Sequence, residues 1–151
     1  MTTNTITADD TLTLFGRVFN DMADGDVSTI TFPNNLVEMK TGKNRNTIFS
    51  KNTTGENAEM VLRLIRGSSD DQFLQGKLST SVTDFASTVL ATGEFVKRLG
   101  DGLGNVARDV YTLGGGVIMK NVEAKENVEG DIVQGVSIYN MKFATVVRSI
   151  Q

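Results

Sequence analysis

The sequence predicts a mainly β domain: a sandwich or barrel of about six strands, with one short α-helix and one long extended loop. Three observations predict it. Fifteen glycines accompany a single proline, and the glycines stand mostly beside β-branched runs, where turns and bulges belong. Apolar residues recur with period two along much of the chain, most clearly in VSIYNMKFATVVRSI (136–150). Only SSDDQFLQGKLSTS (68–81) changes to a helical period.

In chain order, TLTLFGRVFN (11–20) alternates, with Leu12, Leu14 and Val18 on one face and Phe15 and Phe19 on the other. DMADGD (21–26) carries turn chemistry centred on Asp24-Gly25, and VSTITFP (27–33) is a second strand, so 11–32 reads as a hairpin. NAEMVLRLIRG (57–67) alternates Met60, Leu62 and Leu64 with Val61, Arg63 and Ile65. In the helical stretch Ser68 or Ser69 can cap. Asp70 and Asp71 suit the first turn, and Phe73, Leu74 and Leu78 form an apolar stripe. FASTVLATGEFVKRLGDG (85–102) reads as extended. NVARDVYTLGGGVIMKNVEAK (105–125) is a strand with a bulge or bend at Gly114-Gly115-Gly116. ENVEGDIVQG (126–135) is a loop. In the last strand Tyr139, Met141, Phe143 and Val147 are assigned one face, and Asn140, Lys142, Ala144 and Arg148 the other. The reading is one domain over 1–151, without internal repeats.

Composition narrows function. Histidine and cysteine are both absent, which excludes Ser-His-Asp and Cys-His catalysis and disulfides, and leaves zinc or copper only carboxylate ligands. The expectation is no enzyme and no cofactor. A net charge of −3 argues against a surface built to grip phosphates, though not against one that nucleic acid slides past. MTTNTITADD lacks a basic region and an apolar core for export, and no apolar run reaches 18 residues, so synthesis in the cytoplasm without a membrane span is expected.

Three motifs have simpler readings. TGKNRNT (41–47) has Val37 where a phosphate loop needs Gly and Asn44 where it needs Ser or Thr. GLGNVA (102–107) fits the loose dinucleotide pattern, but the β-branched, Gly-broken RDVYTLGGG that follows is no helix, so it reads as a turn. Asp9-Asp10 and Asp70-Asp71 read as structural carboxylates rather than an acid–base pair.

MKTGKNRNTIFSKNTTGEN (39–57) is a polar stretch of a length that is uncommon without a function. Lys40, Lys43, Arg45 and Lys51 make it basic in an acidic chain, and Ile48 and Phe49 lie in its middle. A basic arm on an acidic body is self-complementary, and an aromatic–aliphatic pair with a polar rim has the composition of an interface anchor. These six residues are the candidate subunit-interface site.

Tyr111, Leu113, Gly114 and Gly115, the loop with Asn127, Gly130 and Asp131, and the final strand through Tyr139, Lys142 and Phe143 resemble the C-terminal part of tail tube proteins of contractile-tailed bacteriophages, relatives of tailocin and type VI secretion tubes. The upstream element order fits as well, so the resemblance covers most of the chain. It implies hexameric rings stacked into a hollow tail tube. Sheets of the six subunits join in one barrel, a sheath wraps the outside, and DNA passes through the lumen during ejection. Tape measure, baseplate and terminator proteins would be further partners. The location would be the tail of a virion assembled in the host cytoplasm. A shorter baseplate ring and a tailocin particle fit the same residues, and a small β-barrel module binding a ligand or nucleic acid is the alternative reading. For a conduit, a net-negative lumen is expected, with Lys142 and Arg148 paired to carboxylates or turned away from the axis.

Overall fold

The structure is a computed structural model that describes residues 3–23, 27–52, 56–124, 126 and 132–151. Its strands are β1 (Thr5–Leu14), β2 (Arg17–Phe19), β3 (Ser28–Thr31), β4 (Val37–Thr41), β5 (Thr47–Lys51), β6 (Ala58–Ile65), β7 (Ala91–Gly100), β8 (Val106–Ile118), β9 (Glu123–Ala124) and β10 (Val136–Ile150). One helix, α1 (Ser69–Thr83), lies between β6 and β7, and short 3-10 turns occupy Phe85–Ser87 and Ile132–Gly135. The main sheet is antiparallel in the order β2-β1-β7-β8-β10-β6-β3, with β9 beside the start of β10, and it curls into a half-barrel. Strands β4 and β5 form a separate two-stranded sheet.

The core lies inside the curl. Leu12, Leu14, Phe19, Met60, Leu62, Leu64, Tyr139, Met141 and Phe143 are buried there, and α1 adds Leu74 to them; Leu78 of the same helix is buried as well. The helix starts where the sequence places it: the Ser68 hydroxyl accepts the Asp71 N–H at 3.3 Å. It runs to Thr83, where the Asp84 N–H still donates to the Thr80 carbonyl and the Asp84 side chain starts the next turn. Phe73 is half-buried, packed edge-on against Phe15 and Phe19.

Two expectations are corrected. The hairpin over 11–32 does not form. Phe15 and Gly16 both take positive φ (54° and 74°), the geometry of a two-residue hairpin turn, so the chain reverses there into β2. Strand β3 pairs instead with β6, at the far edge of the sheet. Asp24-Gly25, the expected turn, lies outside the described residues. A bulky residue at positive φ is held by packing: the Phe15 ring sits on Phe73, with the Lys77 ammonium 4.9 Å from its centroid.

The second correction concerns β10. Burial alternates through Tyr139, Met141 and Phe143, then moves to Val146, so Val147 is exposed and Arg148 lies on the core side of the sheet. The expected bend at Gly114–Gly116 is the cause. Gly115 has φ +64° opposite Ala144, and β8 changes facing there together with β10, from Gly116 to Leu113. Close packing also fixes Gly116: a Cβ there would lie 2.3 Å from the Phe143 ring. Of the loop at 126–135, Glu126 and the last four residues, a 3-10 turn, are described, so Asn127, Gly130 and Asp131 lie outside the described residues.

Candidate assembly surfaces

The polar stretch at 39–57 is largely a hairpin. Met39 pairs with Phe49, Lys40 with Ile48 and Val37 with Lys51, and the Gly42 N–H and Asn46 carbonyl close the turn at 2.8 Å. Arg45 takes φ +64° in that turn, so TGKNRNT is the tip of a hairpin and not a phosphate cradle. Every residue of β4 and β5 is exposed. An isolated two-stranded hairpin is at best marginally stable in water.

All six predicted interface residues lie on this arm, but Ile48 and Phe49 do not act as one anchor. Neighbours along a strand point to opposite faces. Phe49 joins Met39, Val37, Thr41, Thr47 and Lys51; Ile48 joins Lys40, Glu38 and Ser50. Lys43 and Arg45 lie at the tip. Phe49 is 68% exposed, and Met39, Ile48, Leu36 and Val37 are exposed too. None of the four cations has an ion-pair partner among the described residues. Sequence reasoning missed Leu36 and Val37, which precede the polar stretch; the run Leu36-Val37 after the only proline was the available signal.

A second feature is the state of the sheet edges. Strand β2 covers β1 only over Leu12–Leu14, so the outer side of Thr5–Asp10 has no strand partner among the described residues. Strand β6 covers β10 only to Phe143, and the Val146 N–H still reaches the Glu56 carbonyl at 3.0 Å. Beyond Val146, β10 pairs with β8 alone. The four strands β1, β7, β8 and β10 therefore end in two uncovered edges. Such edges are templates for another strand. Among the exposed residues near them are Ile6, Val147 and Ile150, while Val82 in the last turn of α1 and Phe85, Val89 and Leu90 after it are further exposed apolar residues.

Between these surfaces the helix start is tied to the sheet by its two aspartates. The buried Asp70 carboxylate accepts the N–H groups of Asn20 (2.8 Å) and Asp21 (2.9 Å) and the Arg17 guanidinium (3.0 Å). Burial alone would raise its pKa. The two N–H groups and Arg17 outweigh that and hold it below the usual carboxylate range. Asp71 accepts the Gly67 N–H, the Ser137 hydroxyl and the Tyr139 hydroxyl. Burial first, then this carboxylate, push the Tyr139 phenol well above its ordinary pKa. Both oxygens of each carboxylate are engaged, so the pair ties the start of the helix to the sheet. The open depression beside it, about 400 Å3 and lined by Arg66, Asp71, Gln72, Gln75, Val122 and Ser137, has no convergent reactive group. GLGNVA is a turn: Asp101 accepts the Asn105 side-chain amide and the N–H groups of Leu103 and Asn105, which together lower its pKa, the Asn105 amide most.

On the face away from the core, Glu59 and Glu94 lie among Arg63, Arg98, Arg108 and Lys142, with Lys142 directly across from Glu59. Arg148 is bidentate to Asp109, at 2.9 and 2.8 Å, which lowers the pKa of that carboxyl. Among the described residues no helix is long and apolar enough to cross a membrane. No protein-family model matches the sequence, and no curated protein sequence matches it.

Proposed function

We propose that this chain is a structural subunit, without catalysis, that assembles with copies of itself into stacked hexameric rings forming the inner tube of a contractile tail. The observation that carries the reading is the pair of uncovered edges on β1 and β10. The strands between them alternate in direction, so the β10 edge of one copy laid beside the β1 edge of the next continues the antiparallel order. An even number of strands per copy lets that order close on itself around a ring. The contact is heterologous, the type that builds rings and filaments. The β4–β5 arm supplies the second contact: its Val37–Met39–Phe49 face reaches a neighbouring copy, and its cations meet the acidic remainder of the chain.

The resemblance in the C-terminal part supplies the rest of the proposal. Six is the ring number, a sheath covers the outside, tape measure, baseplate and terminator proteins meet the tube, and DNA passes without specific binding. The tube belongs to the virion tail and is assembled in the host cytoplasm. Velocity sedimentation over a concentration series, with electron microscopy of the same samples, tests this. Rings or hollow polymers of about six copies per turn are expected. A chain that stays monomeric at the highest attainable concentration overturns the proposal in favour of a small binding module.

A further inference from the structure

Four charged side chains cross the sheet between its two uncovered edges, one from each strand. Asp10 on β1 accepts from the Lys97 ammonium of β7 at 3.1 Å. Lys97 stands directly across from Asp109 of β8. Asp109 holds Arg148 of β10 through two hydrogen bonds, and the Arg148 guanidinium lies 5.7 Å from the Tyr111 ring centroid. From one edge to the other the signs run negative, positive, negative, positive. The ladder ends on a carboxylate at the β1 edge and on a guanidinium at the β10 edge.

Both ends have unused capacity. Asp10 commits one carboxylate oxygen to Lys97, and Arg148 commits Nε and one terminal nitrogen to Asp109. Arg148 keeps 51% of its side-chain surface, whereas Asp109 keeps 14%. The two ends cannot meet within a chain, because three interstrand spacings, about 14 Å, separate them.

We propose that Arg148 of one subunit pairs with Asp10 of the next and so selects which edges join. The inference rests on the self-assembly reading above and adds its specificity. Backbone hydrogen bonding alone does not discriminate here. Two β10 edges, or two β1 edges, related by a twofold axis would also be antiparallel. Those isologous pairings place Arg148 near Arg148 or Asp10 near Asp10, whereas the heterologous pairing continues the alternation without a like-charge contact. Specificity of this kind comes as much from disfavouring the wrong pairing as from strengthening the right one. In a closed ring the ladder becomes an unbroken circle of alternating charge.

The natural chain has no cysteine, which makes proximity simple to read. Asp10→Cys and Arg148→Cys chains are purified separately, mixed under assembly conditions and treated with a short bis-maleimide. Cross-linked dimers are expected only in the mixture, and the double variant should give a ladder of covalent oligomers. A second variant leaves the Asp109–Arg148 pair intact: Asp10→Asn should raise the critical concentration for assembly about tenfold and flatten its salt dependence. Polymers that form without any cross-link between positions 10 and 148, or an Asp10→Asn chain that assembles like the natural one, overturn the pairing and leave the tube reading standing. A natural chain that never assembles overturns both.

Discussion

Phe49→Ala separates an interface role from a core role. The ring is 68% exposed in the isolated chain. A phenylalanine presents about 200 Å2, so docking the arm has roughly 140 Å2 of this side chain to remove from water, up to about 3.5 kcal/mol at 25 cal/mol/Å2. Part of that is retained by the alanine methyl, which leaves a loss of about 2 kcal/mol per contact, close to thirtyfold in the association constant. The isolated chain loses little, because the ring is already mostly in water. The expected cost to folding is under about 1 kcal/mol, against about 3–5 kcal/mol for a core phenylalanine. The assay pairs urea denaturation with the critical concentration for assembly. A nearly unchanged denaturation midpoint with a critical concentration raised about thirtyfold is expected. Unchanged assembly with a large loss of folding stability would refute the reasoning, since Phe49 would then belong to the core.

Other expectations concern the body of the subunit. Leu78→Ala truncates a buried side chain of α1 and should cost about 2–5 kcal/mol in denaturation experiments; a negligible shift would mean that the helix face is not packed. Gly93→Ala would place a Cβ 1.7 Å from the Thr13 carbonyl oxygen, so β1 and β7 must separate, and a loss of about 1–3 kcal/mol or more is expected. The folded pKa of Asp70 lies below its unfolded value of about 3.9, so its contribution is present above that pH and is lost as pH falls through the folded pKa. Stability should therefore fall steeply below about pH 4, and Asp70→Asn, less stable at neutral pH, should show a shallower fall. For the lumen, the net-acidic chain is expected to leave empty tubes unable to retain duplex DNA at low salt; tight retention would put the face carrying Arg98 and Arg108 in the channel and refute the acidic lumen.

Local chemistry by itself determined the mainly β class, the position of α1 and the extent of β6 and β10. Period-two alternation and a Ser cap followed by two aspartates act over a few residues, and nothing distant opposes them. It also singled out the arm as a candidate interface through length, charge and the Ile48-Phe49 pair. The absence of histidine and cysteine excluded catalysis built on either residue. Partners for the strands were a tertiary decision. Strand β3 lies beside β6 because the Phe15-Gly16 turn, held by Phe73 and Lys77, diverts the chain first. The facing of Val146 and Arg148 was equally nonlocal, since Gly115 on β8 changes facing together with the strand opposite. The division of Ile48 from Phe49 follows from the β4–β5 register. The charge ladder joins residues as far apart as Asp10 and Arg148, and no sequence spacing encodes it. It exists only because the sheet order sets β1, β7, β8 and β10 side by side, and hydrogen-bond register then decides which side chains face one another.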